Sequence, residues 1–577
     1  MRIGLWLDIP GAAIREGEGL LRLLSLIFKG FAQTDHEIII VASADARRPS
    51  EAWFKEFSEG ARCKFSFVTP RPGEYDAPGE RDLRLAVARK LAVDGWLAFR
   101  AERHAMDQVP GPWVSIFADF ILAEFPMHFS EATYRQLVSP TREGVARMDR
   151  LVCFSEHVKQ VHGVEFFGAR PDQIRVVPHA PFDYFEFARL GFEQASQALS
   201  LDEIATADSL TRTLAADIVR HHIRNQTDGY FCRIGASHIR PILASMAYED
   251  IDFVLISSRN RPHKNFLTAV QAIEHLVRGR YSAIKGLTTS PLDLTSDEPV
   301  SRYLVDRKLH QEVLSINHLP AHVHACLYKL AAVTVHPSPF EGGFPFTFPE
   351  SLSMGTPIIM ARGPAVEEFL TPGELAEYCF EPSSARDLAR RIDAAVADRE
   401  DLLAKQMMTL DRLKKRTWRD IADEYVDVFR EASQVYWSKG DLWVRTLAAD
   451  DAGSAPGGGF VGADSGRLSG PNAMLTRYLP ASAVGVFHID LDFEDGDPSD
   501  LARKIELSLG VWSEAGLTFY DHKHVRVSSG LADGRPRVSI ALDLPEKDLG
   551  AVKELRGGWI GEAGPVLEQV SWRLAAW

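Results

Sequence analysis

Short apolar runs of the kind that form buried strands recur between helix-patterned segments along most of this chain, and that alternation constrains the fold most. Arg2–Leu7 and Glu37–Ala42 are such runs, and the apolar segment 20–31 between them reads as a helix. Parallel strands covered on both faces read as continuous apolar stretches, and each needs a crossover to reach the next. Strand and helix signals in alternation therefore predict βαβ units and a doubly wound sheet. The pattern continues through strand-like runs at 112–117, 150–154 and 173–177. It resumes at 251–257, 313–316, 333–336 and 357–360, with helices from Asn265, at 385–396 and at 418–437. A single core stops growing near about 250–300 residues, so 577 residues must divide. The expected fold class is α/β, with two Rossmann-like domains and a smaller C-terminal module. The N-terminal domain is read as 1–190 and a helical insertion or bridge as 191–248, because 201–224 has helical spacing. The second domain with its return helix is read as 249–445. Residues 446–478 include GSAPGGG at 453–459 and read as a flexible linker. Residues 479–577 read as an α+β or β-rich accessory module: strands at 484–493, 517–528 and 536–544, a helix at 498–509 and a closing helix.

Charge and cysteine content remove several function classes. The formal net charge of -14 is a poor match to a nucleic-acid backbone, whose binders carry a basic face. Five scattered cysteines, Cys63, Cys153, Cys232, Cys326 and Cys379, form no CxxC pair. An odd count argues against a disulfide framework and for reduced thiols in a cytoplasmic protein. No signal-peptide pattern opens the sequence and no run long enough to span a bilayer occurs. The apolar 20–31 segment carries Arg22 and Lys29, and a core helix explains it better than a membrane surface.

Two stretches carry chemistry. VTVHPSPFEGGFPFTFPESLSMGTPIIM, 333–360, reads as a strand, a glycine-bearing loop, a helix beginning near Glu350, and another strand. Ligands of open α/β sheets bind at the carboxyl ends of strands. Gly342 and Gly343 allow a ligand close to the backbone, and the amides through Phe344 can cradle an anion. Glu341 and Glu350 put two carboxylates, acceptors for paired hydroxyls, in the same region. The second stretch, FVLISSRNRPHKNF at 253–266, ends a strand in a loop holding Arg259, Arg261 and Lys264. These cations suit a polyanion, with diphosphate the natural candidate.

With these residues in place the chain resembles the retaining, GT-B-fold glycosyltransferases of the family four type, mannosyltransferase-like members included. Arg259 and Lys264, five apart, match that family's Arg-and-Lys pair, and Glu341 and Glu350 match its two glutamates. SLSMGTP at 351–357 and LPAHVHACLYKLAAVTVHPS at 319–338 resemble the surrounding family segments. FSEHVKQ at 154–160, IRVVPHAPF at 174–182, WVSIFADFILAEFP at 113–126 and Gly17-Glu18-Gly19 extend the likeness through the first domain. The resemblance covers about residues 1–440. It implies a nucleotide-sugar donor, GDP-mannose-like, in the second domain and a glycan, lipid-linked or protein acceptor at the first. It implies Lys264 and Arg259 on the diphosphate, Glu341 with the Gly342–Phe344 amides on the sugar, Glu350 on the ribose, and neither metal nor cofactor. Peripheral contact with the inner face of the membrane suits an enzyme of glycan assembly. Three departures stand out. Glu341 and Glu350 are nine apart, one residue longer than usual, Ala118 stands where a histidine is usual beside Asp119, and Ser258 replaces a glycine.

Asp119, His179, Gly17 and Gly19 are weaker acceptor-side or cleft candidates, for which turn and packing roles are equally good readings. His322 and His324 lack a third ligand and read as helix or surface residues. Asp490, Asp492, Glu494, Asp495 and Asp497 read as a solvated strand end, and Trp512, Trp559 and Trp572 as core. The module at 479–577 is open to acceptor binding, protomer pairing or partner recruitment. Two other functional classes fit the same residues: a GT-B phosphorylase-type enzyme, and a non-catalytic sugar-nucleotide-binding or scaffold protein.

Overall fold

The computed structural model describes residues 1–7, 19–42, 61–68, 111–201, 204–226, 240–280, 282–317 and 319–438. It also describes 88, 91, 93–99 and 109, and separate strand and helix segments between 443 and 575. The first sheet contains β1 (Arg2–Leu7), β2 (Glu37–Ala42), β3 (Lys64–Val68), β4 (Gly95–Ala98), β5 (Trp113–Ile116), β6 (Arg150–Cys153) and β7 (Ile174–Val176). Their order is β3-β2-β1-β4-β5-β6-β7, and every pairing is parallel. The second sheet contains β8 (Phe253–Ile256), β9 (Lys285–Thr288), β10 (Val313–Ser315), β11 (Val333–His336), β12 (Ile358–Ala361) and β13 (Cys379–Phe380). Its order, β10-β9-β8-β11-β12-β13, is also parallel throughout. These are two Rossmann-like sheets of the α/β class, and each reverses its winding direction once, between β1 and β4 and between β8 and β11.

Helices bind the two sheets into one body. α1 (Gly19–Ala32) follows β1. α2 (Tyr184–Leu199) straddles the boundary read at 190, α3 (Arg212–Asn225) falls in the stretch read as an insertion, and α4 (Ala321–Leu330), α5 (Thr347–Ser353) and α6 (Trp418–Ser438) lie in or after the second sheet. α2 and α3 both pack on α4, so the insertion covers the second sheet. Asp183 caps α2, accepting from the amides of Phe185 and Glu186 at 2.8 and 3.3 Å, and Thr211 caps α3. α6 returns to the first domain and lies against α1. Ile421, Ala422, Tyr425, Val428 and Phe429 of α6 share one core with Leu5, Leu24 and Phe28 of the first domain and Leu255, Leu327 and Leu330 of the second. Two further cores cover the outer faces of the second and first sheets.

Beyond α6 the described strands are antiparallel, in a six-stranded and a five-stranded sheet. Several expectations change here. The helix expected at 498–509 stops at Lys504, and Ile505–Ser513 is a strand paired with Lys553–Trp559. Ile505, Leu507, Leu509 and Val511 alternate with small or polar residues, a period of two that suits a strand. The expected closing helix is the strand Ala563–Ala575, paired with Gly485–Phe493. Val566, Val570, Trp572 and Leu574 share its parity. The strand expected at 517–528 is two, Gly516–Phe519 and Val525–Ala532. Strands also occur inside the stretch read as a linker, at Val461–Gly462, Gly466–Ser469 and Ala473–Leu479, the last paired with Lys553–Trp559. The glycine run at 453–459 lies outside the described residues. Asp490 and Asp492 fall within a paired strand rather than at its end. Asp497 caps the following helix, accepting from the amides of Ser499 and Asp500 at 2.9 and 3.1 Å.

Among the described residues no helix is long and apolar enough to cross a membrane. Cys63, Cys153, Cys326 and Cys379 are buried free thiols. Burial pushes the thiols of Cys63 up to about 11 and of Cys379 up to about 12.

Gly30 makes the α1–α6 contact feasible. A Cβ there would lie 2.0 Å from the carbonyl oxygen of Trp418, where backbone cannot yield cheaply. Gly30→Val is therefore expected to destabilise the protein by about 1–3 kcal/mol, read as a lower denaturant midpoint. An unchanged midpoint would show that the contact adapts.

Candidate functional site

The reversal between β8 and β11 decides which loops meet. These strands are direct neighbours, with Val254 opposite Val333 and Ile256 opposite Val335, so the loops after each emerge side by side. This is the topological switch point at which open α/β sheets hold ligands. After β8 the chain passes exposed Arg259 into a 3-10 turn, Pro262–Lys264, and Asn265 follows at φ +55°. Asparagine tolerates this left-handed conformation, and its side-chain amide donates to the carbonyl of Pro382 at 2.8 Å. After β11 the Ser338 hydroxyl donates to the Phe340 carbonyl at 2.7 Å and tightens the turn into Glu341.

Lys264 and Glu341, 77 residues apart in sequence, meet there: Lys264 Nζ donates to Glu341 Oε1 at 2.5 Å. His336, the last residue of β11, brings Nε2 within 3.3 Å of the same oxygen. Its Nδ1 lies 3.0 Å from Thr347 Oγ1. Burial alone would raise the Glu341 pKa, but the ammonium of Lys264 and the imidazole of His336 outweigh it and hold the carboxyl well below the usual range. The sequence reading passed over His336. The signal available was a polar residue at the last position of a buried strand.

Gly342 and Gly343 serve a close approach. A Cβ on Gly342 would lie 2.1 Å from the carbonyl oxygen of Ala118, and one on Gly343 2.7 Å from the Cβ of Phe154. The first domain thus presses directly on this loop, and Ser155 Oγ donates to the Gly342 carbonyl at 2.9 Å. Ala118, the departure from the family's histidine, contributes its backbone here. Asp119 is partly buried beside Gly342, its Cβ 3.0 Å from the position a Gly342 Cβ would take. Phe344 packs on Phe348 and Phe369 at ring separations of 5.2 and 5.4 Å, so its side chain is core. His179 is wedged between Phe154 and Phe346, at 4.2 and 4.7 Å, and burial pushes its pKa down to about 3. It faces a cavity of about 200 Å³ shared with Phe344, Phe346, Phe369 and Arg416, rather than the Lys264–Glu341 pair. Gly19 opens α1, and Gly17 lies outside the described residues.

Glu350 is 1% exposed on α5. Its Oε2 accepts from the Tyr328 hydroxyl at 2.6 Å, and its Oε1 accepts from Arg22 Nη1 of α1. Burial would lower the Arg22 pKa, but the Glu350 carboxylate raises it above its ordinary value. The guanidinium lies over the rings of Tyr184 and Phe187 at 5.5 and 5.8 Å. Tyr184 Oη bonds His324 Nδ1 at 2.7 Å, and His324 Nε2 bonds Ser257 Oγ at 2.8 Å. Burial pushes His324 down to about 4, so near neutral pH one ring nitrogen donates and the other accepts. His324 stands on a helix, as expected, but it is buried rather than at the surface, and it links Ser257 after β8 to Tyr184 of α2. Its partners lie more than sixty residues away in sequence, beyond the reach of local pattern.

Among the described residues one group has metal-ligand proximity: Glu124, His157 and His162. Glu124 Oε1 lies 2.5 Å from His157 Nε2 and 2.9 Å from His162 Nε2. The backbone amide of Phe120 donates to His162 Nδ1 at 2.9 Å, which leaves the ring proton on Nε2, pointing at Glu124. The group is a hydrogen-bonded brace, and His162 does not offer a free lone pair to an ion.

The family model described as glycosyl transferases group 1 matches residues 244–409. No curated protein matches the chain. Solved structures similar to it include HepE (Alr3699) of Anabaena in complex with UDP and glucose, at 14% identity and TM-score 0.49, covering 74% of this chain and 99% of that one. The sucrose-phosphate synthase of Thermosynechococcus elongatus is similar at 15% identity and TM-score 0.48, covering 75% and 98%.

Two outcomes follow from the loop geometry. Gly342→Ala forces the loop from Ala118 and is expected to lower the melting temperature, by calorimetry; an unchanged value would mean the two domains part at no cost. Glu341, with its folded pKa below the unfolded value near 4.5, stabilises the fold above that value and loses the contribution as pH falls beneath it. Glu341→Gln should therefore flatten the fall in urea midpoint between about pH 5 and pH 3, and a fall as steep as wild type would contradict the pairing.

Proposed function

We propose that this chain is a glycosyltransferase that moves a sugar from a nucleotide-sugar donor, held at the second domain's switch point, to an acceptor hydroxyl presented by the first. The carrying observation is the meeting of Lys264 and Glu341 at 2.5 Å on the carboxyl edge of β8 and β11. The match of 244–409 to glycosyl transferases group 1 supports it. One loop supplies positive charge and the other a carboxylate beside glycine amides, the pairing that a diphosphate linked to a polyhydroxylated sugar requires.

In this reading the acceptor oxygen bonds to the anomeric carbon as the bond from that carbon to the diphosphate breaks. The acceptor's proton passes to the departing phosphate oxygen on the same face, and configuration is retained, as the resemblance implies. Lys264 and Arg259 stabilise the charge that develops on the leaving diphosphate, where fixed cations act most strongly. Glu341 accepts hydrogen bonds from sugar hydroxyls, and its low pKa keeps it an acceptor near neutral pH. Glu350 is assigned to the ribose. Closing of the first domain on the glycine loop excludes water that would otherwise take the sugar. Glycans, lipid-linked sugars and protein hydroxyls are the acceptor classes to be screened.

The test is release of nucleoside diphosphate from a panel of UDP- and GDP-sugars in the presence of candidate acceptors. Lys264→Ala and Glu341→Ala are expected to lower kcat by about 10²–10³. A full rate in either variant would overturn the assigned roles, and phosphate-dependent turnover in place of nucleotide release would favour a phosphorylase.

A further inference from the structure

Glu350 offers almost no exposed surface to a ribose while Arg22 is in place. The carboxylate is 1% exposed, and each oxygen already accepts a bond, one from Arg22 and one from Tyr328. The two partners differ in origin. Tyr328 stands on α4 of the same domain, whereas Arg22 comes from α1 of the first domain, 328 residues away in sequence. Arg22 is further held by the rings of Tyr184 and Phe187. We infer that Arg22 is a gate on the donor site: its guanidinium and the nucleotide ribose compete for the Glu350 carboxylate, so the donor enters only when α1 withdraws. This rests on the donor-site reading of Lys264, Glu341 and Glu350.

The exchange conserves the hydrogen bond at Glu350, though not its charge pairing. Ribose hydroxyls are neutral donors and replace the bond lost from Arg22, while the diphosphate meets Lys264 and Arg259. A buried carboxylate stripped of its cation with nothing in exchange is strongly disfavoured, which holds Arg22 in place. Two other contacts hold the same closed state. Ser155 grips the Gly342 carbonyl at 2.9 Å, and Glu368 accepts from the amides of Glu156 and His157 at 2.9 and 2.8 Å. The closed arrangement is thus held by a contact that the donor must break. Weakening that contact raises the fraction of molecules competent to bind, and the apparent Kd falls by the same factor. The Tyr328 bond lies within the second domain, so losing it leaves α1 in place.

The experiment is calorimetric titration of wild type, Arg22→Gln and Tyr328→Phe with UDP and with GDP, alongside small-angle scattering of the ligand-free proteins. Arg22→Gln is expected to bind the accepted nucleotide about ten-fold more tightly or better and to show a larger radius of gyration before nucleotide is added. Tyr328→Phe, which removes a bond within the second domain and leaves α1 held, is expected to leave the radius of gyration unchanged. Arg22→Lys, which keeps the charge but not the planar fork, is expected to fall between, and it carries the test if Arg22→Gln does not fold. Equal or weaker binding by the Arg22 variants, or an equal rise in radius of gyration in Tyr328→Phe, overturns the gate and leaves the donor reading standing. Failure of wild type and Arg22 variants alike to bind either nucleotide overturns the donor reading and the gate with it.

Discussion

A carboxylate taken out of water must find its compensation inside the protein, and Glu350 finds half of it across a domain boundary. The cost of leaving such a group unpaired is several kcal/mol (about 3–5 when one partner of a buried pair is removed). That cost fixes where α1 of the first domain sits relative to α5 of the second. The aromatic residues around Arg22, the His324 relay and the common core beneath them all lie in the same region. Closure of the two domains is therefore more than apolar contact. It has a polar registration point, and that point coincides with a residue the donor is proposed to use.

Much of the fold was legible in the sequence because buried parallel strands announce themselves as continuous apolar runs. Arg2–Leu7 and Glu37–Ala42 were read with the bounds the structure gives them, and the return helix was off by a single residue at its end. The C-terminal sheets were harder. Ile505–Ser513 follows directly on a helix without a turn residue, so the change of period from 3.6 to 2 is the sole boundary signal, and it falls mid-segment. The closing strand was missed for a similar reason: Val566 and Leu567 are adjacent apolar residues, which blurs an alternation that is clear only from Val570 onward.

The site divides along the same line. Lys264 and Glu341 could be named because each lies in a loop with its own local signature. That they touch follows from strand order, which no local pattern carries. Arg22, Tyr328 and His336 were invisible for the complementary reason. Each sits inside a regular element, where a polar residue among apolar neighbours has no meaning until the partner brought by the fold is known. His179 shows the converse. A histidine at a strand-to-loop junction suggested a cleft residue, yet stacking on Phe154 and Phe346 turns it into a wall of the apolar cavity behind the glycine loop.

The path of α6 has one more implication. The last helix before the β-rich module completes the first domain, although some 240 residues separate it from β7. Trp418 Nε1 donates to the carbonyl of Pro181, and Arg416 reaches the carbonyl of Pro178. Sequence boundaries and structural boundaries therefore disagree. A fragment cut after β7 would expose the face that Tyr425 and Phe429 cover, and a fragment covering just the family-matched segment would discard that helix altogether. The first domain is a composite of two distant pieces of chain, and supplying the helix as a separate peptide is the natural way to reconstitute it.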